Sequence, residues 1–339
     1  MNPTLQITIP NFNRQDSLLT TLERLNSQWR GQFKVLILDD HSEVDPEAAI
    51  FERIDRANDW IQFLRHPVRL GLAANITSCF IHSNADWMWL LGNDDEVAPD
   101  AVVAIEQTVA QYPDVVFINF SSNLTSRQNT RLAAGLGEFL ARLDDHANLN
   151  FISTGLYRVE AFKNYIASGF HYGYTLSPHL AMLFSLLRDH PDATAVFSSR
   201  AICRHKAAVN PKEQWSRIDF SYGAAAMLEF QGLTFGQRRR LADLLTQSGK
   251  IHEFLALQLL AEARRNSCGT LNRFMLETIV QRYFYFDRSL SRWIKKRLYP
   301  MLFISPHLSW GCLNLLFKLR GNRAALEKYL NAPPHGSWR

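Results

Sequence analysis

At 339 residues, with 47% hydrophobic, 20% charged and 12% aromatic residues, the chain has a globular composition and length for about two domains, which excludes disordered and fibrous classes. Four scattered cysteines, Cys79, Cys203, Cys268 and Cys312, form no CxxC pair. That pattern suggests neither a zinc knuckle nor a disulfide framework and points to a reducing, cytoplasmic compartment. The net charge of +5 conceals an asymmetry: residues 1–215 carry 18 Lys+Arg against 24 Asp+Glu, a net of −6, and residues 216–339 carry 19 against 8, a net of +11.

The opening "MNPTLQITIPNFNR" has no basic n-region and no apolar h-region, so no secretory signal is expected. "LQITIPNF" (5–12) is a short apolar β-branched run. Asp16 and Ser17 then stand as N-cap candidates for a helix with Leu18, Leu22, Leu25 and Trp29 on one face. "FKVLILDD" (33–40) reads as a central parallel strand closed by Asp39 and Asp40. Pro46 opens the helix "PEAAIFERID", "WIQFLRH" (60–66) is a third strand, and residues 71–84 a helix. "WMWLLG" (87–92) is a fourth strand that runs into Asn93, Asp94, Asp95 and Glu96. A helix over 99–112 and a strand over 114–122 follow.

Alternating strands and helices with short connections predict an α/β fold, a twisted, mostly parallel sheet with helices on both faces. Ligands of such sheets bind beyond the carboxyl ends of the strands. Polar residues cluster there: Pro10–Arg14, Asp39–Ser42 and Asn93–Glu96. Beyond about 150, "FISTGLYRVEAF" and "TAVFSSRAICRH" add strands around a helix at 177–189. After about 215 only helical patterns remain, in "FGQRRRLADLLTQSG", "KIHEFLALQLLAEARRNS", "LNRFMLETIVQRYFYF" and "DRSLSRWIKKRL".

No GxGxxG follows the first strand, and neither GxxxxGK[ST] nor GxSxG occurs, which argues against a dinucleotide enzyme, a P-loop enzyme and an α/β-hydrolase. Carboxylates remain. Asp94-Asp95 at a strand end suits Mg²⁺ or Mn²⁺, which take hard oxygens from one or two carboxylates plus substrate phosphates, and Asp39-Asp40 could hold a base or ribose. Either pair alone also reads as a solvated turn.

"TIPNFNR", "VLILDDHS", "RHPVRLGLAANI" and "WMWLLGNDDEV" resemble, in order and spacing, the successive motifs of glycosyltransferase family 2, of GT-A fold, over residues 5–122 and more faintly to about 210. The resemblance implies a GT-A domain over 1–215, with a nucleotide-sugar half at 1–122 and an acceptor half at 123–215, followed by a basic helical region at 216–339. It implies Pro10, Phe12 and Arg14 at the nucleotide, with Phe12 stacked on the base. It implies Asp39, Asp40, Gly71, Asn75, Asn93 and Asp94 as further nucleotide contacts, Asp40 reading the base. Asp94 and Asp95 match the metal site, with Asp95 in a catalytic role and His205 as an added ligand; the alternative for His205 is a structural histidine. The family's acidic "ED" at a later helix start is missing from "YTLSPHLAML", where His179 stands in the place of the base, with His171 and Asp189 as lesser candidates. His179 could equally cap or pack its helix. "KEQWSR" (212–217) resembles a QxxRW motif of processive members with the wrong spacing, so single-sugar transfer is expected.

The function so implied is metal-dependent, inverting transfer of one sugar from a UDP, dTDP, CDP or GDP sugar to a glycan hydroxyl in bacterial surface polysaccharide synthesis of O-antigen or capsule type. A polyprenyl-diphosphate-linked acceptor would fit. The segment 287–300 places Leu290, Trp293, Ile294 and Leu298 on one face of a basic helix, suited to peripheral contact with the inner face of the cytoplasmic membrane or to plain packing. No nucleic-acid reader motif is present. Rival readings are a sugar nucleotidyltransferase, which lacks support from a Gly-rich basic first loop, and a non-catalytic sugar- or lipid-binding scaffold.

Overall fold

The computed structural model describes residues 4–206, 223–246, 282 and 306–319. The chain divides into two compact units, Met1–Ala207 and Ala208–Arg339.

The first unit begins with β1 (Leu5–Asn11), α1 (Gln15–Gln28), β2 (Phe33–Asp39), α2 (Glu47–Arg53), the single turn α3 (Ala57–Trp60) and β3 (Ile61–Arg65). It continues through α4 (Leu72–His82), β4 (Trp87–Leu90), β5 (Glu96–Val97), α5 (Ala101–Gln111) and β6 (Phe117–Ser121). The second half comprises β7 (Arg131–Ala134), α6 (Gly135–Arg142), α7 (His146–Asn150), β8 (Gly155–Arg158), α8 (Val159–Phe162), α9 (Ile166–His171), α10 (Pro178–Asp189), β9 (Thr194–Ala201) and β10 (Cys203–Arg204).

Eight strands form one sheet in the order β3-β2-β1-β4-β8-β6-β9-β7. β3, β2, β1 and β4 are mutually parallel, and β6 and β9 are parallel to each other. β8 runs antiparallel between β4 and β6, and β7 antiparallel beside β9. Six of the eight strands therefore point one way. The predicted sheet is present, with one departure: β6 does not extend the parallel set directly, because β8 inserts next to β4.

Periodicity explains the elements. β1, β4 and β6 are buried along their whole length, as strands covered on both faces must be. α1 buries Leu18, Leu22 and Leu25, and these join Ile7, Ile9, Val35, Ile37, Trp89 and Ile105 in the core. Each fully buried side chain of this size contributes roughly 1.5–3 kcal/mol. α1 corrects one expectation. It starts at Gln15 behind Arg14 and has no side-chain cap, so Asp16 falls in the first turn, where its charge favours the helix dipole instead.

The chain order places the site. β1 leads outward through β2 to β3; after α4 it returns to the other flank of β1 as β4. The order reverses between β1 and β4, the switch point at which sheets of this kind form a ligand crevice beyond the carboxyl ends.

In the second unit, helices span Phe235–Thr246 and Pro306–Leu319. The other helical segments expected after residue 246, including 287–300, and the "KEQWSR" segment lie outside the described residues. Among the described residues no helix is long and apolar enough to cross a membrane.

Gly135 joins β7 to α6 at φ +63°, and a Cβ there would stand 2.7 Å from the Pro191 carbonyl oxygen. Gly135→Ala combines left-handed strain with a backbone clash, and chemical denaturation should show a loss of about 1–3 kcal/mol with an unchanged denaturant slope.

Candidate functional site

Three strand ends are tied together by side chains. Asn11, the last residue of β1, donates from Nδ2 to Oδ1 of Asp39 at the end of β2, at 2.7 Å. Its own Oδ1 accepts from Asn93 Nδ2, just past β4, at 2.6 Å. Asp39 also accepts from the Ser42 amide at 2.9 Å and the Ser42 hydroxyl at 2.5 Å. Asn11, Asp39, Ser42 and Asn93 are all buried, so these groups frame the crevice floor and shape its turns.

Beyond Asn93 the chain turns tightly to bring Asp94 and Asp95 to the crevice. Gly92 leaves room for the Asp95 carboxylate, because a Cβ on it would lie 2.5 Å from Oδ2 of Asp95. Ser153, in the segment leading into β8, donates its hydroxyl to that Oδ2 and accepts from the Gly92 amide at 2.8 Å. Asp95 is only 6% exposed, and burial pushes its carboxyl above the usual carboxylate range, against the lowering influence of His205.

His205 arrives from the far end of the first unit. β10 pairs antiparallel with β5, Cys203 opposite Val97 and Arg204 opposite Glu96. Its Nδ1 then stands 3.7 Å from Oδ1 of Asp95, and its backbone is fixed on both sides by Asn123. The hydrogen bond and charge of Asp95 raise the imidazole pKa above its ordinary value. Asp94 is more open and pairs with the guanidinium of Arg14, from the turn after β1.

The donor set has the right chemistry for a hard divalent cation: adjacent carboxylates with an imidazole against one of them. It is not a closed protein cage, since among the described residues no group of three or more His, Cys, Asp or Glu is arranged to hold a metal. Asp95 and His205, with Asp94 alongside, fit an ion that takes its other ligands from phosphate oxygens.

The remaining expected residues divide sharply. Phe12 is half-buried on the turn after β1, with Arg69 over its ring. Pro10 is buried within β1 beside Leu38. Asp40 is buried, and its two oxygens accept from the amides of Leu70 and Gly71 at 2.6 and 2.9 Å. Asn75 is buried and donates to the Leu38 carbonyl while its own oxygen meets His66. Asp39, Asn75 and Asn93, implied as nucleotide contacts by the resemblance, are buried and hydrogen-bonded within the fold. Asp189 is paired with Arg188 at the end of α10.

His179, the expected base, does not join the cluster. It lies in the first turn of α10 at 1% exposure, with both ring nitrogens buried away from solvent. Burial, with the neighbouring His146 adding to it, pushes its pKa down to about 3, too weak for effective proton abstraction near neutrality. Ser153, Asn123 and Arg69 are the residues that sequence reasoning missed. Ser153 and Asn123 reach the site only through long-range pairing and carry no local signal, whereas Arg69 sits inside the quoted "RHPVRLGLAANI".

The model described as glycosyl transferase family 2 matches residues 6–166, from β1 through α8. An uncharacterized glycosyltransferase of Haemophilus influenzae is 28% identical over 114 residues, 34% of this chain and 37% of that protein. Abequosyltransferase RfbV of Salmonella typhimurium is 27% identical over 109 residues, 32% of this chain and 33% of that protein. The chain thus matches about a third of the length of these curated relatives. The crystal structure of S. aureus TarS 1–349 superposes with a TM-score of 0.54 at 14% identity, covering 83% of this chain and 81% of that one. A second structure of that protein, in complex with UDP-GlcNAc, also gives 0.54. At such identity the likeness is one of fold, and the fold is GT-A.

His146 and His179 give the first unit a defined acid response. Burial lowers His146 to about 4 and His179 to about 3, so both are neutral when folded and take up protons when unfolded. Their stabilisation is complete above about pH 6.5 and falls as pH drops toward 4, by about 1.4 kcal/mol per pH unit for each imidazole. Denaturation between pH 7 and 4.5 should show this slope, and His179→Asn should remove its share.

Proposed function

Because residues 6–166 belong to glycosyl transferase family 2, we propose that the protein transfers one sugar from a nucleoside-diphosphate sugar to a hydroxyl of a glycan acceptor, inverting the anomeric carbon. The observation that carries the reading is the meeting of Arg14, Asp94, Asp95 and His205 at the reversal of strand order, the place where an α/β sheet receives a nucleotide.

Each side chain then has a task. Phe12 offers a ring for the base. Arg14, already at the crevice, exchanges Asp94 for the diphosphate, and its forked guanidinium matches phosphate oxygens. Asp95 and His205, with Asp94, would hold Mg²⁺ or Mn²⁺, which when bound supplies charge neutralisation for the departing diphosphate. Ser153 and Gly92 keep the Asp95 carboxylate aimed into the crevice. The acceptor hydroxyl oxygen attacks the anomeric carbon from the face opposite the diphosphate, the new bond forming as the old one breaks with its electron pair on phosphate, and the hydroxyl proton passes to solvent.

The reading assigns transfer to residues 1–215, the donor half at 1–122 and the acceptor half at 123–215. It gives the basic residues 216–339 a part in approaching an anionic acceptor such as a polyprenyl diphosphate at the cytoplasmic membrane face, in surface polysaccharide synthesis. Their net charge of +11 supports this, as do the exposed Leu308, Leu315 and Leu319 on the helix Pro306–Leu319.

Incubation with candidate donors should release a nucleoside diphosphate in a reaction that stops on chelation with EDTA. Asp95→Ala should lower that rate by about 100-fold or more while the protein stays folded. Release of pyrophosphate would instead mark nucleotidyl transfer, and full activity of Asp95→Ala would refute the site.

A further inference from the structure

Residues 150–154 lead from α7 into β8 and are held from several sides. Asn150 accepts the hydroxyl of Ser177, at the start of α10, at 2.5 Å. The Phe151 ring meets the imidazole of His205 edge-on, with centroids 5.3 Å apart. Thr154 accepts from the Asn119 side chain of β6 at 2.9 Å. Ser153, which is fully buried, carries the most. Its hydroxyl donates to Oδ2 of Asp95 and accepts from the Gly92 amide at 2.8 Å. Its carbonyl oxygen accepts from the Trp89 indole N–H at 2.8 Å and from the Cys203 thiol at 3.2 Å. Groups from β4, from the turn after it and from β10 thus meet on one residue.

We propose that Ser153 is the positioning residue of the metal site, setting Asp95 through its hydroxyl and the strand that carries His205 through its carbonyl; the inference rests on the donor-site reading above. Asp95 and His205 lie far apart in sequence and reach the crevice on different elements, so some group must fix one against the other. The hydroxyl acts on the first arm. It engages Oδ2 and so sets the rotation of the carboxylate, which leaves Oδ1 turned toward His205 Nδ1 at 3.7 Å. A ligating carboxylate is oriented in this way by a hydrogen bond on its other oxygen, and losing such a bond weakens metal binding about 10–100-fold. The carbonyl acts on the second arm. A carbonyl oxygen has two lone pairs, and here they join Trp89 of β4 to Cys203 of β10, two residues before His205. The Phe151 ring, two residues before Ser153, then packs against the imidazole itself. The bond from Ser177 to Asn150 ties the same segment to α10 in the acceptor half.

Loss of the free Mn²⁺ electron paramagnetic resonance signal, read with protein alone and then with UDP, dTDP, GDP or CDP present, measures metal affinity without turnover. Ser153→Ala should weaken Mn²⁺ binding about tenfold or more, and Ser153→Thr, which keeps the hydroxyl, should stay within about threefold of the wild type. Cys203→Ala should weaken it about threefold, and Cys203→Ser, which keeps a donor for the carbonyl, should stay within about twofold. Thermal unfolding should remain cooperative in all four. Wild-type affinity in Ser153→Ala overturns the proposal, as does an equal loss in Ser153→Ala and Ser153→Thr, which would make the position one of packing alone. Should Ser153→Ala not fold, the Cys203 pair decides, and wild-type affinity in Cys203→Ala overturns the carbonyl arm. Loss of Mn²⁺ binding in Asp95→Ala, with none in any Ser153 or Cys203 variant, would keep the donor-site reading and overturn the positioning role. A wild type that binds no Mn²⁺ under any of these conditions overturns both.

Discussion

Asn11 sits between two neighbouring strand ends, its amide donating to Asp39 and its carbonyl accepting from Asn93. A primary amide supplies donor and acceptor at once, and all three groups are buried, so losing the central one would take from Asn93 its acceptor and from Asp39 one of its donors. Through this chain the ends of β2, β1 and β4 are held in fixed register. The turns that follow them inherit that register. Phe12 and Arg14 leave from β1, Asp40 and Ser42 from β2, and Asp94 and Asp95 from β4. The site is therefore a consequence of strand order and one polar bridge.

Charge within the crevice is arranged in tiers. Asp95 is buried and held by Ser153 and His205, whereas Asp94 is more open and neutralised by Arg14. A buried carboxylate is costly unless paired, and its raised pKa expresses that cost. Both carboxylates have a positive or hydrogen-bonding neighbour whose place a hard cation could take. Arg14 and His205 thus keep the protein folded around charges whose partners in the proposed reaction come with the substrate.

The sheet and its parallel core were legible because β1, β2 and β4 are apolar runs that stop abruptly at polar residues, a pattern read without knowledge of long-range pairing. The antiparallel insertion of β8 was not legible. "GLYR" is four residues long, and only its pairing with both β4 and β6 shows where it lies. Ser153 was hidden for the same reason, since it meets Asp95 across 58 positions of sequence. Asp39 and Asn75 stand as nucleotide contacts through the family resemblance; in the fold they satisfy backbone and side-chain groups, which only long-range pairing reveals. His179 was misplaced by alignment to a motif position. Helical periodicity gave its helix, but whether its ring would face the crevice or the interior depends on long-range packing, which the sequence does not display.

The central claim is that the β1–β4 reversal holds a metal-bound diphosphate. A crystal structure with a nucleoside diphosphate and Mn²⁺, read by the anomalous signal of manganese, tests it most directly. The account predicts a manganese peak within coordination distance of Asp95 and His205 and of the diphosphate, with Arg14 turned from Asp94 to phosphate. A nucleotide bound away from this crevice, or manganese bound without Asp94, Asp95 or His205, would contradict it.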